Sequence, residues 1–166
     1  MVATVASIKS AGQAGHYYGQ TDDYYRGSDM APTRWHGKGA DALGLAGKEV
    51  DARTFTEALS GKLPDGTQLG RADGKGGIEH RPGWDVTFSA PKSVSVAALA
   101  AGDDRVTAAH DRAVATALAH IERHGATARD KGLERAGQAH STDNLLIATF
   151  RHTSSREGQP QLHTHS

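Results

Sequence analysis

Residues 144–165, NLLIATFRHTSSREGQPQLHTH, restrict the pairing of this 166-residue chain more tightly than any other stretch. Two strand-like runs flank residues 153–160, which are rich in turn formers. If that run closes a hairpin centred on Glu157-Gly158, His152 and His163 lie equidistant from the centre and face each other. His163 and His165 are two apart, so on a strand both side chains point to one face. Three imidazoles then converge on one patch of sheet. A divalent cation needs that arrangement: three neutral nitrogens at about 2.0–2.1 Å and one position left open. His16, His36, His80, His110, His120, His124 and His140 show no such spacing and read as surface, loop or packing residues.

Elsewhere the periodicity alternates between strand and helix. Residues 1–8 are β-branched and Ala-rich with mixed faces, which predicts a strand covered on both sides. Ser10 is placed to cap a short helix through Ala14. The polar, Gly-punctuated stretch 19–47 reads as loops and short helical turns. Asp51 is an N-cap for a helix to about Lys62, with Phe55, Ala58 and Leu59 on one face, and Pro64-Asp65-Gly66 ends it as a turn. Residues 68–83 read as a protruding hairpin or long loop.

The run from Trp84 alternates cleanly, with Trp84, Val86 and Phe88 on one face and Asp85 and Thr87 on the other. Pro91 takes the first position of a short helix that Gly102 closes. Asp103 or Asp104 then caps the longest helix, to about His124. Its stripe is Val106, His110, Ala113, Val114, Ala117, Leu118 and Ile121. Residues 125–143 suggest a loose strand pair; 144–152 and 161–165 read as strands.

The length suits one globular domain. Nineteen basic residues balance nineteen acidic ones, so any nucleic-acid contact must rest on local patches. Without cysteine there is no disulfide framework and no thiolate metal site. No secretory signal and no run of about 18–20 apolar residues is present, which gives a cytoplasmic expectation with no membrane segment.

All four tyrosines, Tyr17, Tyr18, Tyr24 and Tyr25, fall within nine residues of polar loop. Packing gives little reason for two adjacent pairs there. One reading is an aromatic surface cluster for base stacking or partner contact. The other is nucleophilic catalysis. A phenol of pKa about 10 needs a cation or base beside it to attack near neutral pH. Asp85, on the polar face of an apolar strand, could accept a tyrosine proton or hold a metal-bound histidine by its second ring nitrogen.

Together these residues resemble the TrwC/TraI-type (MobF) conjugative relaxases of the HUH endonuclease superfamily. The matching segments, in the family's order, are SAGQAGHYY, DDYY, RWHGKGADALGL, DVTFSAPKSVS, AAHDRAV and the 144–165 run. The resemblance implies an α/β fold of the α+β type, an antiparallel sheet palm flanked by helices. It implies a divalent metal ion (Mg, Mn or Zn) on His152, His163 and His165, and Tyr17 as the nucleophile that nicks one strand and stays joined to the 5′ phosphate. Tyr24 would serve the second transfer reaction at termination, with Tyr18 and Tyr25 as neighbours and Asp85 as the acidic residue near nucleophile and triad. Implied partners are single-stranded DNA, the hairpin of a plasmid transfer origin, and relaxosome and coupling proteins. Arg71, Lys75, Arg81 and Lys92 become candidate DNA contacts.

Family relaxase domains continue well past the H-x-H. Residues 1–166 are therefore expected to be the N-terminal part of a single relaxase domain, with a poorly braced edge strand ending at the ligands. Two alternatives follow from the same residues: a histidine-triad metal phosphohydrolase that needs no tyrosine, and a truncated remnant that binds DNA without cutting it.

Overall fold

The computed structural model describes residues 1–14, 33–74, 76–129, 137–155 and 157–166. Its strands are β1 (Val2–Ile8), β2 (Arg34–His36), β3 (Arg71–Ala72), β4 (Ile78–Glu79), β5 (Gly83–Ser89), β6 (Thr127–Arg129), β7 (Ala139–Ser141), β8 (Ile147–Ser154) and β9 (Pro160–His165). Helix α1 starts at residue 11 and is described to 14; α2 is Lys38–Ala42, α3 Ala52–Leu59, α4 Lys92–Ser95 and α5 Asp104–Gly125. Five strands form one antiparallel sheet in the order β1-β5-β9-β8-β2, while β3-β4 and β6-β7 are separate two-stranded pairs. Among the described residues no helix is long and apolar enough to cross a membrane.

Strand alternation divides the sheet into two faces with separate cores. On one, Trp35, Ala148 and Phe150 pack with Phe55 and Leu59 of α3 and Ala14 of α1. Phe55 meets Phe150 edge-on at 5.1 Å between ring centroids, a geometry aromatic pairs favour. On the other, Phe88 and Ile147 pack under Val114 and Leu118 of α5. Leu162 and Thr164 point to that second side, where the Ser95 hydroxyl accepts the Leu162 N–H at 3.0 Å. The Thr164 hydroxyl hydrogen-bonds His110 Nε2, also at 3.0 Å.

Several helix ends follow the capping rules. The Asp51 carboxylate accepts the Thr54 N–H and the Asp103 carboxylate the Arg105 N–H, so α3 and α5 begin where an acidic cap was expected. Ser10 caps α1, its hydroxyl accepting the Gln13 N–H. Glu122, 9% exposed on α5, accepts the backbone N–H groups of Lys38 and Leu145 at 2.8 and 2.9 Å. It thereby holds the start of α2 against the segment entering β8. Gly37 permits that approach: with φ at 89°, an added Cβ would lie 2.4 Å from the Leu145 carbonyl oxygen.

The structure corrects six expectations. β1 is an edge strand whose side chains are mostly exposed, Val2 and Val5 each at 64%, so neither of its faces is covered as predicted. Its small β-branched residues carry the β signal whatever their burial. β9, expected at an edge, lies in the sheet's centre, hydrogen-bonded to β5 on one side and β8 on the other. Local sequence does not report β5 as its second partner.

Residues 34–36, read as loop, pair with 147–149, and Trp35 is 2% exposed. Three residues are too few for a period-two signal. Pro91 is the cap of α4 rather than its first residue, and the helix continues as a π-helical turn over Val96–Ala100. Finally, α3 stops at Leu59, and Ala113 on α5 is exposed.

Candidate functional site

The hairpin at 152–163 closes as the spacing predicts. His152 pairs directly with His163, and Phe150 with His165, beyond an irregularity between His152 and Ser154. All three histidines fall on the face of the sheet that carries Phe150 and α1. Their ring centroids form a nearly equilateral triangle of 5.1, 5.4 and 5.3 Å. Three ring nitrogens at about 2.0–2.1 Å from one ion, at tetrahedral angles, place their ring centroids about 5 Å apart. The ring positions therefore fit one cation. Among the described residues, no three His, Cys, Asp or Glu side chains stand ready to hold a metal as they are oriented.

Hydrogen bonding sets which nitrogen each ring presents. A carbonyl oxygen only accepts, so the 3.0 Å contact between His163 Nδ1 and the Gln161 oxygen places the proton on Nδ1. The Asp85 carboxylate lies 3.0 and 3.1 Å from His165 Nδ1 and orients that ring likewise. A ring that carries its proton on Nδ1 presents Nε2 as the atom able to ligate a metal. Thr87, on the polar face two residues after Asp85, lies 3.1 Å from the same Nδ1, and its hydroxyl donates to Asp85 at 3.4 Å. The alternation of β5 had exposed Thr87 as Asp85's neighbour, but nothing local marked it as a partner of His165.

Burial favours the neutral rings that a metal requires. Desolvation first, then the positive charge His163 and His165 would carry, lowers His152 to about 4, against an opposing pull from Asp85. Desolvation is also the main cause that lowers His163. His110, read as packing, is 5% exposed directly behind the triad and is lowered by burial too.

The remaining candidates separate. Arg71 pairs with Glu79 across the β3-β4 hairpin at 2.7 Å, both side chains exposed. The Arg81 guanidinium stands 5.9 Å from the centre of the Trp84 ring. The Lys92 ammonium donates to Gln159 Oε1 and the Pro160 carbonyl, each at 3.1 Å, and so ties α4 to the histidine hairpin. Tyr17, Tyr18, Tyr24, Tyr25 and Lys75 lie outside the described residues. The last described residue before the tyrosines, Ala14, is buried on the triad's side of the sheet.

A family model described as TrwC relaxase matches residues 11–166. Two proteins of Escherichia coli described as multifunctional conjugation protein TraI are similar to the chain. One is 46% identical over 165 residues and the other 47% over 160, covering 98% and 95% of this chain. The chain spans 9% of the length of each of those relatives. Among solved structures, conjugative relaxase TrwC in complex with oriT DNA matches with a TM-score of 0.78 and 42% identity. The match covers 99% of this chain and 54% of that one. A metal-bound structure of that complex matches at 0.78 and 43%. A complex with a 27-mer DNA comprising the recognition hairpin and the cleavage site matches at 0.77 and 41%.

Proposed function

The chain belongs to the TrwC relaxase family, and from that premise we propose that it nicks one strand of DNA at a plasmid transfer origin by tyrosine transesterification. The observation that carries this reading is the triangle of His152, His163 and His165, backed by Asp85, on the sheet face that buries Ala14 three residues before Tyr17. The three histidines would hold a divalent cation, which supplies charge to the non-bridging oxygens of the scissile phosphate.

Tyr17 is the nucleophile in this reading. Its phenol oxygen bonds to phosphorus, the bond from phosphorus to the 3′ oxygen breaks, and the phenolic proton leaves so that a 3′ hydroxyl can form. The products are a 5′-phosphotyrosine and a free 3′ end. Asp85 acts as a positioning residue: its hydrogen bond to His165 Nδ1 supports the second of the two roles expected of it. Tyr24 takes the later transfer, with Tyr18 and Tyr25 as neighbours. In this reading Arg71, Lys75 and Arg81 contact the origin hairpin. Lys92 is the weakest of the four, because its ammonium already holds the turn of the histidine hairpin. The reading makes the protein cytoplasmic, with relaxosome and coupling proteins as partners.

Tyr17→Phe tests the assignment. The substituted chain should lose covalent capture of a labelled origin oligonucleotide on a denaturing gel while its DNA affinity stays within about twofold. Adduct at the unsubstituted rate rejects Tyr17 as nucleophile. Strand cleavage without any adduct, in the unsubstituted chain, would point to the phosphohydrolase instead.

A further inference from the structure

His120 and His124 lie one helical turn apart near the end of α5, and both are exposed. Residues four apart share one face of a helix, so a spacing that means nothing on a strand brings these two side chains together. Their ring centroids are 4.5 Å apart, with the planes tilted by 46°. Among the described residues no hydrogen bond or ion pair takes up their ring nitrogens. Burial does not account for the pair, and no polar neighbour does.

The separation carries chemical information. Two imidazole nitrogens at about 2.0–2.1 Å from one ion put their ring centroids about 5.2 Å apart at a tetrahedral angle and about 4.5 Å apart at about 90°. The triad of His152, His163 and His165 has the wider spacing, at 5.1, 5.4 and 5.3 Å. The pair on α5 has the narrower one, which suits adjacent positions of a square-planar or octahedral ion. Imidazole suits copper, nickel and zinc, whereas magnesium and manganese prefer oxygen ligands; of the first three, Cu(II) and Ni(II) take the 90° geometry. The place on the helix favours a cation too. Helix α5 ends at Gly125, so the pair stands at the negative end of its dipole.

This pair is remote from the triad in the fold. Helix α5 covers the sheet face that carries Phe88 and Ile147, while the triad stands on the opposite face with Phe150. His120 borders a cleft with Ala3 and Phe88 on the α5 side.

We propose that His120 and His124 form a second metal site, a two-histidine chelate on α5 for Cu(II) or Ni(II), with water completing the coordination. The site is independent of the triad and of the nicking reaction. An ion that binds the pair only when α5 is formed also stabilises the folded chain by mass action.

The experiment titrates metal-free protein with Ni(II) in a calorimeter. The unsubstituted chain is compared with His120→Ala, His124→Ala and a triad variant, His163→Gln with His165→Gln. The unsubstituted chain and the triad variant should share one Ni(II) site. Each alanine variant should weaken that site about tenfold or more, because a lone histidine loses the effective concentration of its neighbour. A spacing control, Ala119→His with His120→Ala, keeps the number of histidines but sets them five apart, off a common face. It should bind as weakly as His120→Ala. Mg(II) should give no heat at this site. All these α5 side chains are exposed, so circular dichroism should show the helix intact in each variant. The chelate is refuted if the alanine variants or the spacing control bind Ni(II) as tightly as the unsubstituted chain, or if the site disappears with the triad. Neither result bears on the nicking assignment, which Tyr17→Phe tests.

Discussion

Strand β9 shows two regions of the molecule separated by the thickness of one peptide chain. On one side, Leu162 and Thr164 are 0% and 4% exposed beneath α4 and α5. On the other, His163 and His165 stand partly open, their ring centroids 5.3 Å apart. The covered side is satisfied from within: the Leu162 N–H has Ser95, and the Thr164 hydroxyl has His110. On the open side, Asp85 and the Gln161 carbonyl hold the Nδ1 atoms of His165 and His163. Alternation lets one strand do both, and the difference teaches that stability and chemistry here should be separable by single substitutions.

The largest effect should come from the covered side. Leu162→Ala removes a side chain with no exposed surface and should cost about 2–5 kcal/mol of unfolding free energy in a denaturant titration. Metal affinity of the still-folded fraction should change little. If the two fall together, the faces are not separable and the comparison breaks.

From the open side comes the next effect. Asp85→Asn removes the charge that orients His165 and should lower metal affinity about 10-fold to 100-fold by calorimetric titration, with the thermal midpoint nearly unmoved. An unchanged affinity would mean that Asp85 has no hold on the ligand.

The smallest effect sharpens the contrast with pH. His152 and His163 have lowered pKa values in the folded chain, so folding favours their neutral forms. Unfolded histidine binds its proton at about 6.5, which makes stability from these groups complete above that pH. It is lost as pH falls from there through the folded value, about 4 for His152. In metal-free protein, His152→Gln should flatten the decline of stability between those limits, read from unfolding at stepped pH. An unchanged slope would place the acid sensitivity at His163 or, on the covered side, at His110, whose pKa values burial also lowers.

Much of this contrast is written in local spacing. Equal distances from Glu157-Gly158 give the pairing of His152 with His163, and the H-x-H step gives the shared face. Alternation from Trp84 to Phe88 places Asp85 on that face as well, because Phe88 must go under α5. Two acidic caps mark the starts of α3 and α5. Less legible were contacts that depend on what lies beside a strand. β9 looked like an edge because its partner β5 is more than seventy positions away. Residues 34–36 carried too short a pattern to be read as strand, though Trp35 belongs to the core. Nothing local marks the role of Glu122, whose two backbone partners come from distant segments.

The sequence by itself determined the set of three histidines on one face and the pairing of His152 with His163, because side-chain direction in a strand has period two. Beside the turn Ser154 pairs with Pro160, one residue out of that count, and the irregularity between them is not written in the spacing. Tertiary structure alone decided that this hairpin sits at the sheet's centre, with β5 against β9. That pairing brings Asp85 and Thr87 to within 3.0 and 3.1 Å of His165 Nδ1. The physical reason is range. Periodicity and capping act over a few residues, whereas the choice of neighbouring strand is made by burial across the whole sheet.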